Sequence, residues 1–232
     1  MSRLHVALLD ASHGSEHTPR NFRREVDADL SEFDVTAEEL PPDYRYDAAI
    51  VTGSRASVYW TEDWIAGLKS WVDGAVEREV PLLGVCYGHQ LLADVLGGEV
   101  GAMDEYEIGY REVEHDGGRL FEGIDETFTA FTTHSDEVTT TPPGAEVLAE
   151  NDRSIHAFRK GPVFGVQFHP EYDPETAESV TRGKGELADE RMESVLDGIT
   201  EENYRAACEA KTVFENFCDF ARERTAPEAA AD

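Results

Sequence analysis

The chain has 232 residues, enough for one α/β domain with a sizeable core, and a formal net charge of −29 from 49 acidic and 20 basic side chains. A surface this acidic disfavours nucleic-acid phosphates and anionic membranes as partners. The acidic residues are spread along the whole chain. This spread favours adaptation to a high-salt cytoplasm over an ordinary acidic protein, because concentrated salt screens the repulsion between like charges.

Three widely separated cysteines give no disulfide framework. The amino terminus carries no signal-peptide pattern, and no apolar run approaches the about 20 residues that a membrane span requires. We therefore expect a cytoplasmic protein with reduced thiols.

The first part of the chain predicts strands that alternate with helices. Hydrophobic periodicity predicts strands at 4–10, 33–36 and 46–51, and helices at 21–30 and 61–79. Thr61 is the expected cap of the second helix. His13 and His17 lie in a polar segment whose intervening Gly-Ser pair does not hold a helix, so a solvated loop is preferred over a metal site.

A short apolar run ends in Gly84-Val85-Cys86-Tyr87-Gly88, after which leucines recur at helical spacing. A strand, a sharp turn with a nucleophile at its apex and a helix form a nucleophile elbow, here with cysteine in place of serine. A side chain at either glycine would collide across so tight a turn. Cys86 would also sit at a helix N-terminus, where free N–H groups and the helix dipole favour the thiolate. The alternative is a small buried cysteine at the end of a core strand.

A second apolar run, 163–168, ends in His169-Pro170-Glu171. A cysteine nucleophile needs a base within hydrogen-bond reach and a third group that orients the base. His169 would be the base and Glu171 would fix its tautomer, because a two-residue spacing lets both side chains of an extended chain point the same way. Taken alone, His169 would be a satisfied histidine in a turn, but the two motifs together favour catalysis.

The remaining pattern completes an open α/β sheet. Antiparallel strands are expected at 99–114, and further elements are strands at 128–133, 146–149 and 155–159 and helices at 174–181, 186–196 and 202–224. Alternating strands and helices predict three layers, with helices on both faces of a mixed sheet. We expect a single domain at 1–224, with a helical insertion at 175–200 and a frayed tail at 225–232.

The segments Gly84-Val85-Cys86-Tyr87-Gly88-His89-Gln90 and Gly165-Val166-Gln167-Phe168-His169-Pro170-Glu171 resemble the class I, triad-type glutamine amidotransferases. The similarity is greatest to the glutaminase subunit or domain of GMP synthase and its stand-alone relatives, and it extends from the first strand to about residue 173. The resemblance implies a flavodoxin-like fold and hydrolysis of the side-chain amide of glutamine by Cys86, His169 and Glu171. It implies no cofactor and no metal.

Elbow enzymes take one oxyanion donor from the residue after the nucleophile and one from another strand's carboxyl end. These donors would be the backbone N–H groups of Tyr87 and Gly53. The family usually has two glycines and a proline in the second loop, whereas this chain has Gly53-Ser54-Arg55, which leaves Gly53 and Ser54 both open. A plain strand-to-helix turn is the alternative for this loop.

The resemblance also implies the groups that bind glutamine. Gln90 would help to bind the substrate, and Ser135 and Asp136 would bind its α-amino and α-carboxylate groups, mostly through backbone. On the bare sequence, the segment His134-Ser135-Asp136 could equally be a polar loop between strands.

The Gly-x4-Gly-Lys-Ser/Thr phosphate loop is absent from the sequence, so an ATP-dependent amination would belong to a separate synthetase subunit. The resemblance suggests GMP synthase and purine biosynthesis. The rival is a stand-alone γ-glutamyl peptide or amide hydrolase with the same triad. A non-catalytic relative is disfavoured, because a binding module has no need of Cys86, His169 and Glu171 together.

Overall fold

The computed structural model describes residues 3–185 and 187–225. Within them the chain forms nine strands. In chain order these are β1 His5–Asp10, β2 Asp29–Asp34, β3 Ala48–Val51, β4 Leu82–Val85, β5 Glu99–His115, β6 Thr127–Thr140, β7 Glu146–Glu150, β8 Ile155–Lys160 and β9 Val163–Val166. They make a single open sheet in the order β2-β1-β3-β4-β9-β8-β7-β5-β6.

Seven α-helices accompany the sheet in the described part of the chain. They are α1 His17–Glu25, α2 Asp63–Glu77, α3 Tyr87–Val95, α4 Pro174–Arg182, α5 Asp189–Asp197, α6 Glu201–Ala207 and α7 Thr212–Thr225. None of these helices combines the length and the apolar character that crossing a membrane would require.

The sheet is parallel at one end and antiparallel at the other. β2, β1, β3, β4 and β9 pair in parallel, and every pairing from β9 through β8, β7 and β5 to β6 is antiparallel. The carboxyl ends of parallel strands meet at one edge, which is where ligands bind in open α/β sheets. Because β4 lies between β3 and β9, the loops that follow these three strands are neighbours.

The two faces of the sheet are covered by different helices, which confirms the predicted three layers. Phe22 of α1 and Phe214 and Phe217 of α7 lie in the core on one face. Trp64 of α2 and Leu91 of α3 lie in the core on the other. The helical spacing of apolar residues in α2 and α3 is what turns one stripe of each helix toward the sheet.

Two predicted helix boundaries are wrong. α1 begins at His17 rather than at residue 21, and it ends at Glu25 because residues 29–34 pair in parallel with β1. Pairing with a buried strand here overrides a weak helical pattern. Thr61 does not cap α2, since the helix begins at Asp63 with Glu62 at the cap position and no side-chain hydrogen bond.

Other differences lie in the second half. The segment expected as antiparallel strands at 99–114 is one strand of 17 residues, β5, which pairs with the 14-residue β6 that contains Ser135 and Asp136. These two residues therefore lie in a strand, not in a polar loop. The expected helix 202–224 is interrupted by a 3-10 turn at Cys208–Lys211. Two expectations fall outside the described residues. One is the start of a helix at position 186, and the other is the frayed tail over residues 226–232.

Candidate active site

Cys86 occupies the turn between β4 and α3 in a backbone conformation that side chains rarely adopt, with φ 52° and ψ −103°. Its N–H donates to the carbonyl of Val166 at 2.8 Å, which joins the turn to β9. A Cβ on Gly84 would lie 2.3 Å from the carbonyl carbon and oxygen of Gly88, and one on Gly88 would lie 2.2 Å from the carbonyl oxygen of Val51. Both glycines are therefore sterically required, as expected for a nucleophile elbow.

His169 follows β9 and is held from three sides. Its N–H donates to the carbonyl of Phe131 at 2.8 Å, its Nδ1 lies 2.9 Å from Oε1 of Glu171, and its ring stacks on Tyr172 with centroids 4.1 Å apart. Nε2 has no hydrogen-bond partner among the described residues. His169 lines the same cavity as Cys86, and its Nε2 is left available for a reacting group.

An arginine cluster fixes the backbone that carries Glu171. Arg24 of α1 donates to the carbonyl oxygen of Glu171 at 2.7 Å and to the carboxylate of Asp173 at 2.7 Å. Arg20, one turn earlier on α1, reaches the same Asp173 oxygen at 2.8 Å. Charge-assisted bonds of this kind are among the stronger protein hydrogen bonds, so α1 anchors the turn after β9.

The surroundings of His169 determine its charge. Burial alone would lower the pKa of His169, but the carboxylate of Glu171 and the thiolate form of Cys86 raise this pKa to about 10. At neutral pH the ring then carries a proton on each nitrogen. The arrangement can supply a proton to a leaving amine.

Gly53 follows β3 and lies against both catalytic candidates. A Cβ on this residue would lie 2.9 Å from Cε1 of His169 and 3.7 Å from Cβ of Cys86. The hydroxyl of the preceding Thr52 accepts a hydrogen bond from the backbone N–H of Ala11, with 2.9 Å between N and Oγ1. This bond holds the loop beside the end of β1. Gly53 and Ser54 both line the cavity that contains Cys86, so this loop borders the space beside the nucleophile.

An inner cavity of about 90 Å³ brings together the residues expected to bind glutamine. Gln90 donates from Nε2 to the carbonyl of Asp136 at 2.8 Å and to Oε1 of Gln167 at 3.1 Å. The carboxylate of Asp136 accepts from the hydroxyls of Ser57 and Tyr59. Gln90, Ser135 and Asp136 thus line one pocket next to Cys86, although Ser135 and Asp136 reach it from a strand.

An outer cavity of about 220 Å³ also includes Cys86 in its lining. Besides Cys86, His169 and Glu171, its lining includes residues that the sequence did not indicate: Ser12, Ser15, Thr18, Arg55, Thr133, Tyr172, Val180 and Lys184. Ser12, Ser15 and Thr18 follow the carboxyl end of β1, and the rule that ligands bind at this edge could have found them. Val180 and Lys184 come from α4 and the turn after it, and no motif in the sequence marks them.

A buried group of three side chains adjoins the inner cavity, whose lining includes one of them, His134. Oε2 of Glu107 is 3.0 Å from Nε2 of His134 and 3.6 Å from Nε2 of His156. Among the described residues these three are the one group of His, Cys and acidic side chains close enough to share a metal ion, and His13 and His17 are not part of it. Burial would raise the pKa of Glu107, but the contacts with both histidines lower it.

Comparison with known proteins identifies the family. Residues 12–182 match the family model of class-I glutamine amidotransferases. A glutamine-hydrolyzing subunit of GMP synthase from Archaeoglobus fulgidus is 50% identical over 101 residues, which cover 41% of this chain and 54% of the relative. Anthranilate synthase component 2 of the same organism is 44% identical over 93 residues, covering 40% and 52%. The chain thus spans about half the length of these curated relatives.

The fold has solved counterparts of the same size. The structure of a glutamine amidotransferase from Thermotoga maritima superposes with a TM-score of 0.80 at 20% identity and covers 94% of this chain and 100% of the other. This likeness concerns the fold, whereas the match over residues 12–182 concerns the sequence family. The chain belongs to the class I glutamine amidotransferases, an enzyme family with glutaminase activity, and is homologous to GMP synthase.

Proposed function

We propose that this protein hydrolyses the side-chain amide of glutamine with Cys86 as nucleophile, His169 as acid and base, and Glu171 as the group that orients His169. The observation that carries the proposal is the position of His169, whose Nδ1 lies 2.9 Å from Glu171 and which lines the same cavity as Cys86. Covalent acyl transfer needs a nucleophile, a base that takes the proton of the nucleophile, and an acidic group that orients the base.

In the first half-reaction, the sulfur of Cys86 attacks the amide carbon of glutamine. The carbonyl oxygen becomes an oxyanion that accepts hydrogen bonds from the backbone N–H groups of Tyr87 and of the Gly53–Ser54 loop. His169 then donates its Nε2 proton to the amide nitrogen as the carbon–nitrogen bond breaks. Ammonia leaves, and a γ-glutamyl thioester remains on Cys86.

In the second half-reaction, His169 is neutral and takes a proton from water. The resulting hydroxide attacks the thioester carbon, and the same N–H groups hold the second oxyanion. The carbon–sulfur bond breaks, which releases glutamate and restores the Cys86 thiolate beside a protonated His169. Glu171 keeps Nδ1 protonated throughout, so that Nε2 alone exchanges the proton.

We further propose that the ammonia serves a separate ATP-dependent synthetase, of the GMP synthase kind, in the cytoplasm. Sequence similarity to glutamine-hydrolyzing subunits of GMP synthase supports this acceptor. The similarity to anthranilate synthase component 2 makes a second acceptor worth testing beside it.

A second candidate function is a stand-alone γ-glutamyl peptide or amide hydrolase, and one observation favours it. Val180 and Lys184, from the segment expected to be an insertion, line the outer cavity of about 220 Å³. Ammonia is a single heavy atom and does not need such a space, whereas an amine of several heavy atoms would fill it.

The first experiment compares the wild type with Cys86→Ala. We expect loss of ammonia release from glutamine by more than about a thousandfold, because the nucleophile is gone. Circular dichroism should stay the same, since alanine replaces only a small thiol. Activity of Cys86→Ala within tenfold of the wild type would remove Cys86 from the mechanism.

The second experiment separates the two functions. Turnover of glutamine and of γ-glutamyl peptides is measured for the isolated chain, then with the synthetase components of GMP synthase and anthranilate synthase added. An amidotransferase that serves a synthetase should be weak alone and activated by that partner. Fast turnover of a γ-glutamyl peptide that no synthetase changes would establish the hydrolase instead.

A further inference from the structure

Two basic side chains at the site stand apart from the other basic residues. In the described part of the chain, Arg55 and Lys184 neither pair with a carboxylate within 4.0 Å nor donate to a backbone carbonyl. Arg159, Lys160 and Arg191 also lack an ion pair there, but each donates to a carbonyl oxygen. In a chain with 49 acidic residues against 20 basic ones, Arg55 and Lys184 are thus the two cations with neither kind of partner among the described residues.

Arg55 and Lys184 both line the two cavities that contain the sulfur of Cys86. The inner and outer cavities share five lining residues, which are Ser54, Arg55, Cys86, Thr133 and Lys184. The two cations therefore lie where both cavities meet at the nucleophile. They reach this point from different elements, Arg55 from the loop after β3 and Lys184 from the turn after α4.

Lys184 is held in place by packing. Its Nζ lies 5.1 Å from the centre of the Tyr106 ring, a distance typical of a cation–π contact. The Tyr106 hydroxyl is 2.9 Å from Oγ1 of Thr133, whose carbonyl oxygen lies 3.8 Å from the sulfur of Cys86. The lysine backbone is fixed as well, because its N–H donates to the carbonyl of Thr181 at 3.1 Å.

The acidic groups of the two cavities already have partners. Glu171 bonds to His169, and the carboxylate of Asp136 accepts from Ser57 and Tyr59. The charges of these acids would repel a substrate anion, and neither acid neutralises Arg55 or Lys184 through direct contact. The two cations thus supply the attraction that an anionic substrate needs at this site.

We propose that Arg55 and Lys184 form an anion subsite over Cys86 that binds a carboxylate of the γ-glutamyl substrate. The inference rests on the proposed amide hydrolysis and adds the groups that select its substrate. Guanidinium and ammonium groups bind carboxylates through charge-assisted hydrogen bonds. The carboxylate has two possible sources, the α-carboxylate of the glutamyl half and a carboxylate on the leaving amine. The first would lie in the inner cavity and the second in the outer one.

The test uses four substrates that separate these sources. Glutamine and γ-glutamylmethylamide carry only the α-carboxylate, γ-glutamylglycine carries both carboxylates, and 4-aminobutanamide carries neither. Each substrate is assayed with the wild type, Lys184→Met, Arg55→Met and the conservative Lys184→Arg. Lys69→Met is the matched control, since it makes the same change in charge on α2, where Lys69 pairs with Asp94.

We expect Lys184→Met to raise KM by about tenfold to hundredfold, the usual effect of losing one hydrogen bond to a charged group, and to change kcat less. Arg55→Met should act in the same direction, and Lys184→Arg should restore most of the loss. If the α-carboxylate is bound, the loss affects every substrate except 4-aminobutanamide. If the leaving-group carboxylate is bound, only γ-glutamylglycine is affected. Equal effects of Lys184→Met and Lys69→Met on all four substrates would overturn the subsite.

A binding measurement distinguishes failure of the subsite from failure of the proposed function. Calorimetric titration of Cys86→Ala protein with glutamine and γ-glutamylglycine requires no turnover. Adding Lys184→Met to Cys86→Ala should weaken the binding of at least one of them about tenfold or more. Unchanged Kd values for both ligands would refute the subsite even if the wild type hydrolyses glutamine. Weakened binding with an inactive wild type would keep the subsite and refute the hydrolysis.

Discussion

Nδ1 of His169 lies 2.9 Å from Oε1 of Glu171, and both side chains are almost completely buried. A single proline separates the two residues, so the contact is local in the sequence. The backbone of Glu171 is nevertheless held by Arg24 of α1, far away in the chain. The orientation of the imidazole therefore depends on a short motif and on a distant helix together.

This contact predicts a graded loss of activity. Glu171→Gln should reduce kcat less than His169→Ala, by a factor of about ten to a hundred, because losing the orienting acid costs less than losing the base. The measurement is single-turnover formation of the γ-glutamyl thioester. Glu178→Gln, an exposed carboxylate on α4, serves as the control and should behave as the wild type. Wild-type rates in both His169→Ala and Glu171→Gln would contradict the triad.

Gly53→Ala should impair catalysis by displacing His169. The added Cβ would lie 2.9 Å from Cε1 of the ring, which is closer than real contacts allow. A shift of the ring by about 1 Å can reduce kcat by about a hundredfold.

The matched control is Gly67→Ala in the middle of α2. There the new Cβ would meet Leu40 at 3.5 Å, an ordinary contact, so we expect unchanged kcat and a gain of about 0.5–1 kcal/mol in the free energy of unfolding. Normal kcat in Gly53→Ala would show that the ring tolerates the methyl group and would contradict the packing argument.

The charge on His169 predicts a pH-dependent stability. Because its folded-state pKa is raised to about 10 from an ordinary 6.5, the protonated ring stabilises the fold fully below pH 6.5. This contribution declines above pH 6.5 and is lost as the pH rises through 10. Glu171→Gln removes the negative charge that raises the pKa of His169. The stability of this variant should therefore change less between pH 6.5 and 10 than that of the wild type.

Urea unfolding between pH 6 and 10 tests this. The free energy of unfolding of the wild type, relative to Glu171→Gln, should be largest at pH 6 and should shrink toward pH 10. Subtracting the variant cancels the titration of groups that both proteins share. A difference that stays constant with pH would mean that His169 is not stabilised in its protonated form.

The net charge of −29 predicts that salt stabilises the protein. Self-repulsion opposes the compact state until it is screened, so the thermal midpoint should rise between about 0.1 and 2 M KCl. NaCl should act like KCl at equal ionic strength, because screening does not depend on the cation. A midpoint that stays flat or falls in both salts would favour an ordinary acidic protein over a salt-adapted one.

The elbow and the His-Pro-Glu turn could be read from the sequence because their requirements are local. Gly84 is fixed by a collision with Gly88 within one turn, and the spacing of His169 and Glu171 by the geometry of a few residues, whereas Gly88 is fixed by Val51 of the neighbouring strand β3. The same holds for the alternation of strands and helices that predicted a layered α/β fold, since each element needs only its own hydrophobic period.

Only the tertiary structure decided which distant segments meet at the sulfur. Placing β4 between β3 and β9 brings Gly53 to His169, and the pairing of β5 with β6 brings Asp136 to the inner cavity from a strand. Lys184 reaches the same cavity from beyond α4 without any motif to mark it. Such contacts depend on the pairing order and packing of whole elements, which the local preferences of a residue do not specify.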